Sequence, residues 1–127
     1  MSDNYETVLR RYMEALGASD YTTIKSLFAE DGTVTSPFLG PMPARDFFDR
    51  LGGATRGNVI TPIDEFLPSG DQQHAVAYFL YDCTVNDGTL IIFNVMNLFE
   101  FRPGTDKVGA LTLIYDTYPI RQTAGNK

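Results

Sequence analysis

Apolar side chains recur first every three to four residues along this chain and later every second residue, so a helical N-terminal part gives way to a strand-rich remainder. Tyr5, Val8, Leu9, Tyr12, Met13 and Leu16 share one helical face, and Gly17 supplies a stop. Ser19-Asp20 reads as the cap of a second, short helix with Ile24, Leu27 and Phe28 inward, closed by Asp31-Gly32. Thr33 to Ser36 is expected as a brief strand. The segment Pro37 to Pro43, rich in proline, predicts a loop, with Pro43 suited to the first turn of a third helix whose apolar side is Phe47, Phe48 and Leu51. Gly52-Gly53 ends that helix. Asn58 to Leu67 then reads as an edge strand, because Pro62 has no N–H to give to a central ladder.

From Gln72 onward the period is two, with reversals at Asp87-Gly88 and Pro103-Gly104. Two strongly apolar runs, Val95 to Phe101 and Val108 to Tyr115, end this part, and Asn97 interrupts the first. A neutral polar residue on a buried face either makes a local hydrogen bond or faces a cavity. A two-residue turn at Asp87-Gly88 sets Asn86 opposite Thr89, Asp82 opposite Phe93 and Tyr78 opposite Asn97. Tyr78, Leu80, Asp82, Phe93, Val95, Asn97 and Phe99 then share one surface of the sheet, where Asp82 and Asn97 stand in an apolar field. These two levels lie about 13 Å apart along an extended strand, so a ligand touching both is multi-ring or extended. Helices first and an antiparallel meander afterwards predict one α+β domain over residues 1–121, the sheet curling around the helices, with 122–127 as a disordered tail.

Composition narrows the partners. A chain of 127 residues with 43% hydrophobic side chains is long enough for one buried core, which sets aside intrinsic disorder. The net charge of −6 and the lack of a Lys/Arg cluster speak against nucleic acid and anionic membrane as partners. Cys83 is the only cysteine, so no internal disulfide forms, and with no signal-like N-terminus or long apolar run a cytoplasmic protein is expected. No His/Cys/carboxylate grouping has ligand spacing, so neither metal nor cofactor is implied. His74 reads as a surface residue, and Arg45, Arg50 and Arg56 as a solvated helix face rather than a clamp for an anion.

Three stretches carry a resemblance: Arg11-Tyr12-Met13-Glu14-Ala15-Leu16; Ser26-Leu27-Phe28-Ala29-Glu30-Asp31-Gly32-Thr33-Val34 leading to Ser36-Pro37; and the final strands with Ile114-Tyr115-Asp116. In these the chain resembles the nuclear transport factor 2-like superfamily of ketosteroid isomerases and SnoaL-like polyketide cyclases. The resemblance implies a cone-shaped, curved, mixed but mostly antiparallel sheet wrapped around three helices, the cystatin-like roll, enclosing one apolar pocket. It also implies a homodimer through the outer face of the sheet. Tyr12 falls on the position of the tyrosine that donates to the enolate oxygen in the isomerases, and Asn97 on that of the protonated acid beside it. The isomerase base position is occupied by Ser36, whose hydroxyl is no carboxylate base near neutral pH, so steroid isomerisation is not expected. Against limonene epoxide hydrolase, Asp82 matches one aspartate, while Leu80 and Leu113 replace the arginine and the other aspartate.

Two functions follow. In one, the chain is a cofactor-independent acid/base isomerase or cyclase of a hydrophobic, polyketide-, terpenoid- or steroid-sized substrate, with Asp82 shuttling a proton while Tyr12 and Asn97 polarise an oxygen. In the other it is a non-catalytic small-molecule binding or dimerisation module. In both, Ser36, Phe38, Tyr78, Leu80, Phe93, Val95, Phe99, Leu111, Leu113 and Tyr115 are expected to line the ligand pocket.

Overall fold

A computed structural model describes residues 2–118, so the expected tail at 122–127 lies outside the described residues. Helix α1 (Ser2–Gly17) buries all six residues of the face expected from its spacing. Helix α2 (Tyr21–Ser26) starts where Asp20 accepts a hydrogen bond from the Thr23 N–H at 3.1 Å, satisfying one of the free donors of the first turn. Strand β1 (Phe28–Ser36) begins at once, earlier than the expected Thr33, because Phe28 already pairs with Val108 and buries its ring among the helices. The stretch read as a loop contains a short strand, β2 (Gly40–Pro43), paired antiparallel to β1. Pro41 and Pro43 are tolerated there because β2 is an edge strand, while Pro37 lies in the turn before it.

Helix α3 (Ala44–Ala54) follows, with Pro43 at its N-cap and Phe47 and Phe48 buried. Then come β3 (Thr55–Phe66), β4 (His74–Val85), β5 (Leu90–Phe101) and β6 (Val108–Ile114). The sheet order is β2-β1-β6-β5-β4-β3, with β1 and β6 parallel and every other pair antiparallel. β3 forms the other edge, where Pro62 stays in register opposite Phe79 and a bulge at the next residue, Ile63, interrupts the ladder. Both α1 and α3 pack against the inner face, where Leu9, Phe48, Phe79, Phe99 and Leu111 make the solid part of the core. Among the described residues no helix is long and apolar enough to cross a membrane.

The β4–β5 hairpin corrects the expected register. Its loop has three residues, Asn86, Asp87 and Gly88: the Val85 N–H donates to the Thr89 carbonyl at 2.9 Å, and Gly88 sits at φ 93°. Asn86 does not oppose Thr89. It turns to α3, where its side chain donates to the Gly53 carbonyl at 2.6 Å and its N–H to that of Ala54 at 3.2 Å, satisfying carbonyls at the helix end. This long-range use of Asn86 shifts the pairing by one, so that Asp82 opposes Ile92, Tyr81 opposes Phe93 and Ala77 opposes Asn97. A slip of one residue moves a strand's whole side-chain set to the other face. In β4 the inward set is therefore Ala75, Ala77, Phe79, Tyr81 and Cys83.

Candidate functional site

A cavity of about 290 Å³ lies between the inner face of β4, β5 and β6 on one side and α3 with the β1–β2 turn on the other. The volume equals roughly ten water molecules at ~30 Å³ each and sits at the lower edge of the ~300–1,000 Å³ typical of ligand sites. Its wall is almost wholly apolar, with Phe47 and Leu51 from α3, Phe93 and Val95 from β5, and Leu113 from β6. Tyr12 and Asn97 mark the enclosed end, at 2% and 1% exposure, and the exposed Arg50 and Ala54 mark the mouth.

The polar pair at the enclosed end is built from both halves of the chain. α1 delivers Tyr12, whose ring is fixed edge-on by Phe99 at 5.0 Å and Phe48 at 6.2 Å. β5 delivers Asn97, whose Nδ2 donates to the Tyr12 hydroxyl at 3.0 Å. The Asn97 Oδ1 is buried without a hydrogen-bond partner, an uncommon condition for a buried carbonyl. Burial pushes the Tyr12 phenol far above its ordinary range despite the Asn97 hydrogen bond, so it stays a neutral donor.

Other titratable groups on the wall behave alike. Desolvation raises Tyr81, Cys83 and Tyr115, each favouring the uncharged form. The Tyr81 hydroxyl donates to the Asn58 Oδ1 at 2.6 Å, and the Asn58 amide in turn donates to the hydroxyls of Tyr21 at 2.7 Å and Ser19 at 3.1 Å. Tyr81 is thus tied into a satisfied buried network. Ser36 is also engaged: its Oγ accepts from the Leu39 N–H at 3.1 Å. Arg50 is the one charged residue on the cavity wall among the described residues. Described residues also hold no group of three or more side chains suited to a metal.

Of the residues singled out from sequence, Tyr12, Asn97, Ser36, Phe38, Phe93, Val95, Leu113 and Tyr115 meet around the cavity. Asp82, Tyr78 and Leu80 do not: the one-residue shift puts them on the outer face of the sheet, where Asp82 stands between Val59 and Ile92. Phe99 and Leu111 face inward but lie in the packed core, at 0% and 1% exposure, off the cavity wall. With Asp82 on the outer face, the cavity has, among the described residues, no carboxylate pole that would require a multi-ring ligand. Sequence reasoning missed Phe79, Tyr81, Cys83 and Arg50. For β4 one signal was present: both faces of the strand are apolar, and the single charge, Asp82, marks the even-numbered set as the wetter one.

No family model matches the sequence, and no curated protein matches it either. Solved structures do match. A protein with a ketosteroid isomerase-like fold from Catenulispora acidiphila, in complex with trimethylamine, is 17% identical over 94% of this chain and 93% of its own, with a TM-score of 0.75. An NTF2-like protein from Burkholderia pseudomallei is 18% identical over 94% and 95%, with a TM-score of 0.76. TerC, co-crystallised with polyporic acid, is 16% identical over 97% and 99%, also at 0.76. At such identities the likeness concerns the backbone path, and with the sheet order and three helices described above it shows that this chain has the nuclear transport factor 2-like fold shared by ketosteroid isomerase-like and SnoaL-like proteins.

Proposed function

We propose that this chain is a non-catalytic receptor for a small hydrophobic molecule of one or two rings, held in the cavity and hydrogen-bonded at its enclosed end by Tyr12 and Asn97. The observation that carries this reading is the buried Asn97 carbonyl without a partner beside a neutral tyrosine donor, on an otherwise apolar wall. Both residues line the cavity, and a ligand oxygen can accept from the pair. Two structural neighbours were crystallised with small molecules, which supports use of the fold as a container.

The acid/base enzyme reading needs a group that takes a proton near neutral pH. The cavity wall has no carboxylate or histidine among the described residues, Asp82 is on the outer face, and burial holds Tyr12, Tyr81, Cys83 and Tyr115 protonated. The reading also includes a homodimer through the outer face, where Val59, Leu90, Ile92, Met96 and Ile114 are exposed on one sheet surface. A second copy of that surface is its natural cover, since a two-fold pairing buries the same patch twice.

Calorimetric titration with one- and two-ring ketones and phenols tests the reading. Binding is expected in the wild type and should vanish in Val95→Phe, which fills the cavity. Proton exchange at the ligand's α-carbon in D₂O, followed by NMR, should stay at the uncatalysed rate. Binding that survives Val95→Phe, or accelerated exchange, would show the proposal to be wrong.

A further inference from the structure

We infer that the cavity selects ligands carrying an anionic oxygen group, a carboxylate or an acidic enol, held at the mouth by Arg50 while the apolar body lies inside; this rests on the receptor reading above. Arg50 projects from α3 and is the one charged side chain on the wall among the described residues. Its disposition is not explained by pairing within the protein. Asp46 stands four residues earlier on the same helix, the spacing at which a helix joins opposite charges, yet no ion pair links the two. The neighbouring Asp49 is taken by Lys25 at 2.7 Å, while Arg10 binds Glu6 at 2.8 Å and Arg102 binds Asp31 at 2.6 Å.

Among the described residues Arg50 therefore presents a guanidinium with no ion-pair partner to whatever occupies the mouth, and its fork of N–H donors matches a carboxylate in two-point geometry. The rest of the wall sharpens the selectivity. It offers a cation no carboxylate, and Arg50 opposes an ammonium directly. The overall charge of −6 repels anions at long range, so the preference is a short-range property of this one residue.

The test compares two ligands of nearly identical shape, 1-naphthylacetate and 1-naphthylacetamide, titrated calorimetrically at pH 7 into wild type, Arg50→Gln and Arg45→Gln. Arg45 is exposed on the same helix but off the cavity, so its variant makes the same change in net charge without touching the mouth. Arg50→Gln should weaken the acid by about three- to ten-fold, the scale of a partly exposed charge-assisted contact, and leave the amide unchanged. Arg45→Gln should alter neither. Equal losses for acid and amide, equal effects of the two variants, or no loss at all would each overturn the role of Arg50 while leaving the receptor reading intact. Failure of both ligands to bind wild type would overturn the receptor reading and this inference together.

Discussion

Replacing both members of the buried pair, Tyr12→Phe with Asn97→Leu, should make the protein more stable while removing its grip on an oxygen-bearing ligand. One hydrogen bond joins a phenol and a primary amide, groups that together have several more donors and acceptors than that bond uses. The Asn97 carbonyl is left without a partner. Exchanging the two ends of the amide would orphan an N–H instead, so the arithmetic does not depend on that assignment. Tyr12→Phe alone strips the amide of its acceptor and should cost about 1–3 kcal/mol. Asn97→Leu alone relieves the orphan carbonyl but strands the phenol, and should fall within about 1 kcal/mol of wild type. The double variant loses a net bond worth about 1 kcal/mol and recovers about 1–3 kcal/mol of desolvation, with the larger leucine growing into the cavity. A gain near 1 kcal/mol, or about 3–5 °C in Tm for a chain of this length, is expected. The coupling between the sites, the double change less the two single ones, should be about 3 kcal/mol. Urea unfolding followed by circular dichroism, at fixed protein concentration, measures all four corners of the cycle. A double variant weaker than wild type by more than about 2 kcal/mol would refute the reasoning, because the pair would then be a structural bond rather than a retained binding element.

Asp82→Asn should leave ligand affinity unchanged and stability within about 0.5 kcal/mol of wild type, since Asp82 is on the outer face; calorimetry and urea unfolding check both. Ile92→Glu, placed in the exposed apolar face, should convert a dimer to a monomer in sedimentation velocity without changing the circular dichroism spectrum; an unchanged sedimentation coefficient would locate any dimer elsewhere. At alkaline pH, Tyr12, Tyr81 and Tyr115 have folded pKa values raised by burial, so the stability they contribute is complete below the unfolded value near 10 and is lost as pH rises above it. Absorbance at 295 nm should accordingly show fewer than seven tyrosinates in the folded protein at pH 11 and all seven in urea. Full ionisation without unfolding would contradict the burial of these phenols.

The helical face of α1, the cap at Asp20, the edge character of β3 and the inward set of β5 were all legible in the chain, because each depends on short-range spacing or on one residue's stereochemistry. Asn97 was legible for the same reason: an amide in an apolar run needs a partner, and that need does not depend on the fold. The inward face of β4 was not. Both of its faces are apolar, so periodicity could not choose between them, and the choice fell to a three-residue loop whose Asn86 binds the end of α3. That contact spans 33 residues and decides whether Asp82 or Tyr81 faces the ligand cavity. Arg50 shows the same limit in another form. Its local spacing predicts a solvated helix face, and only the packing of α3 over the sheet turned that residue toward the cavity mouth, since local spacing sets which residues share a face while tertiary contacts set what the face meets.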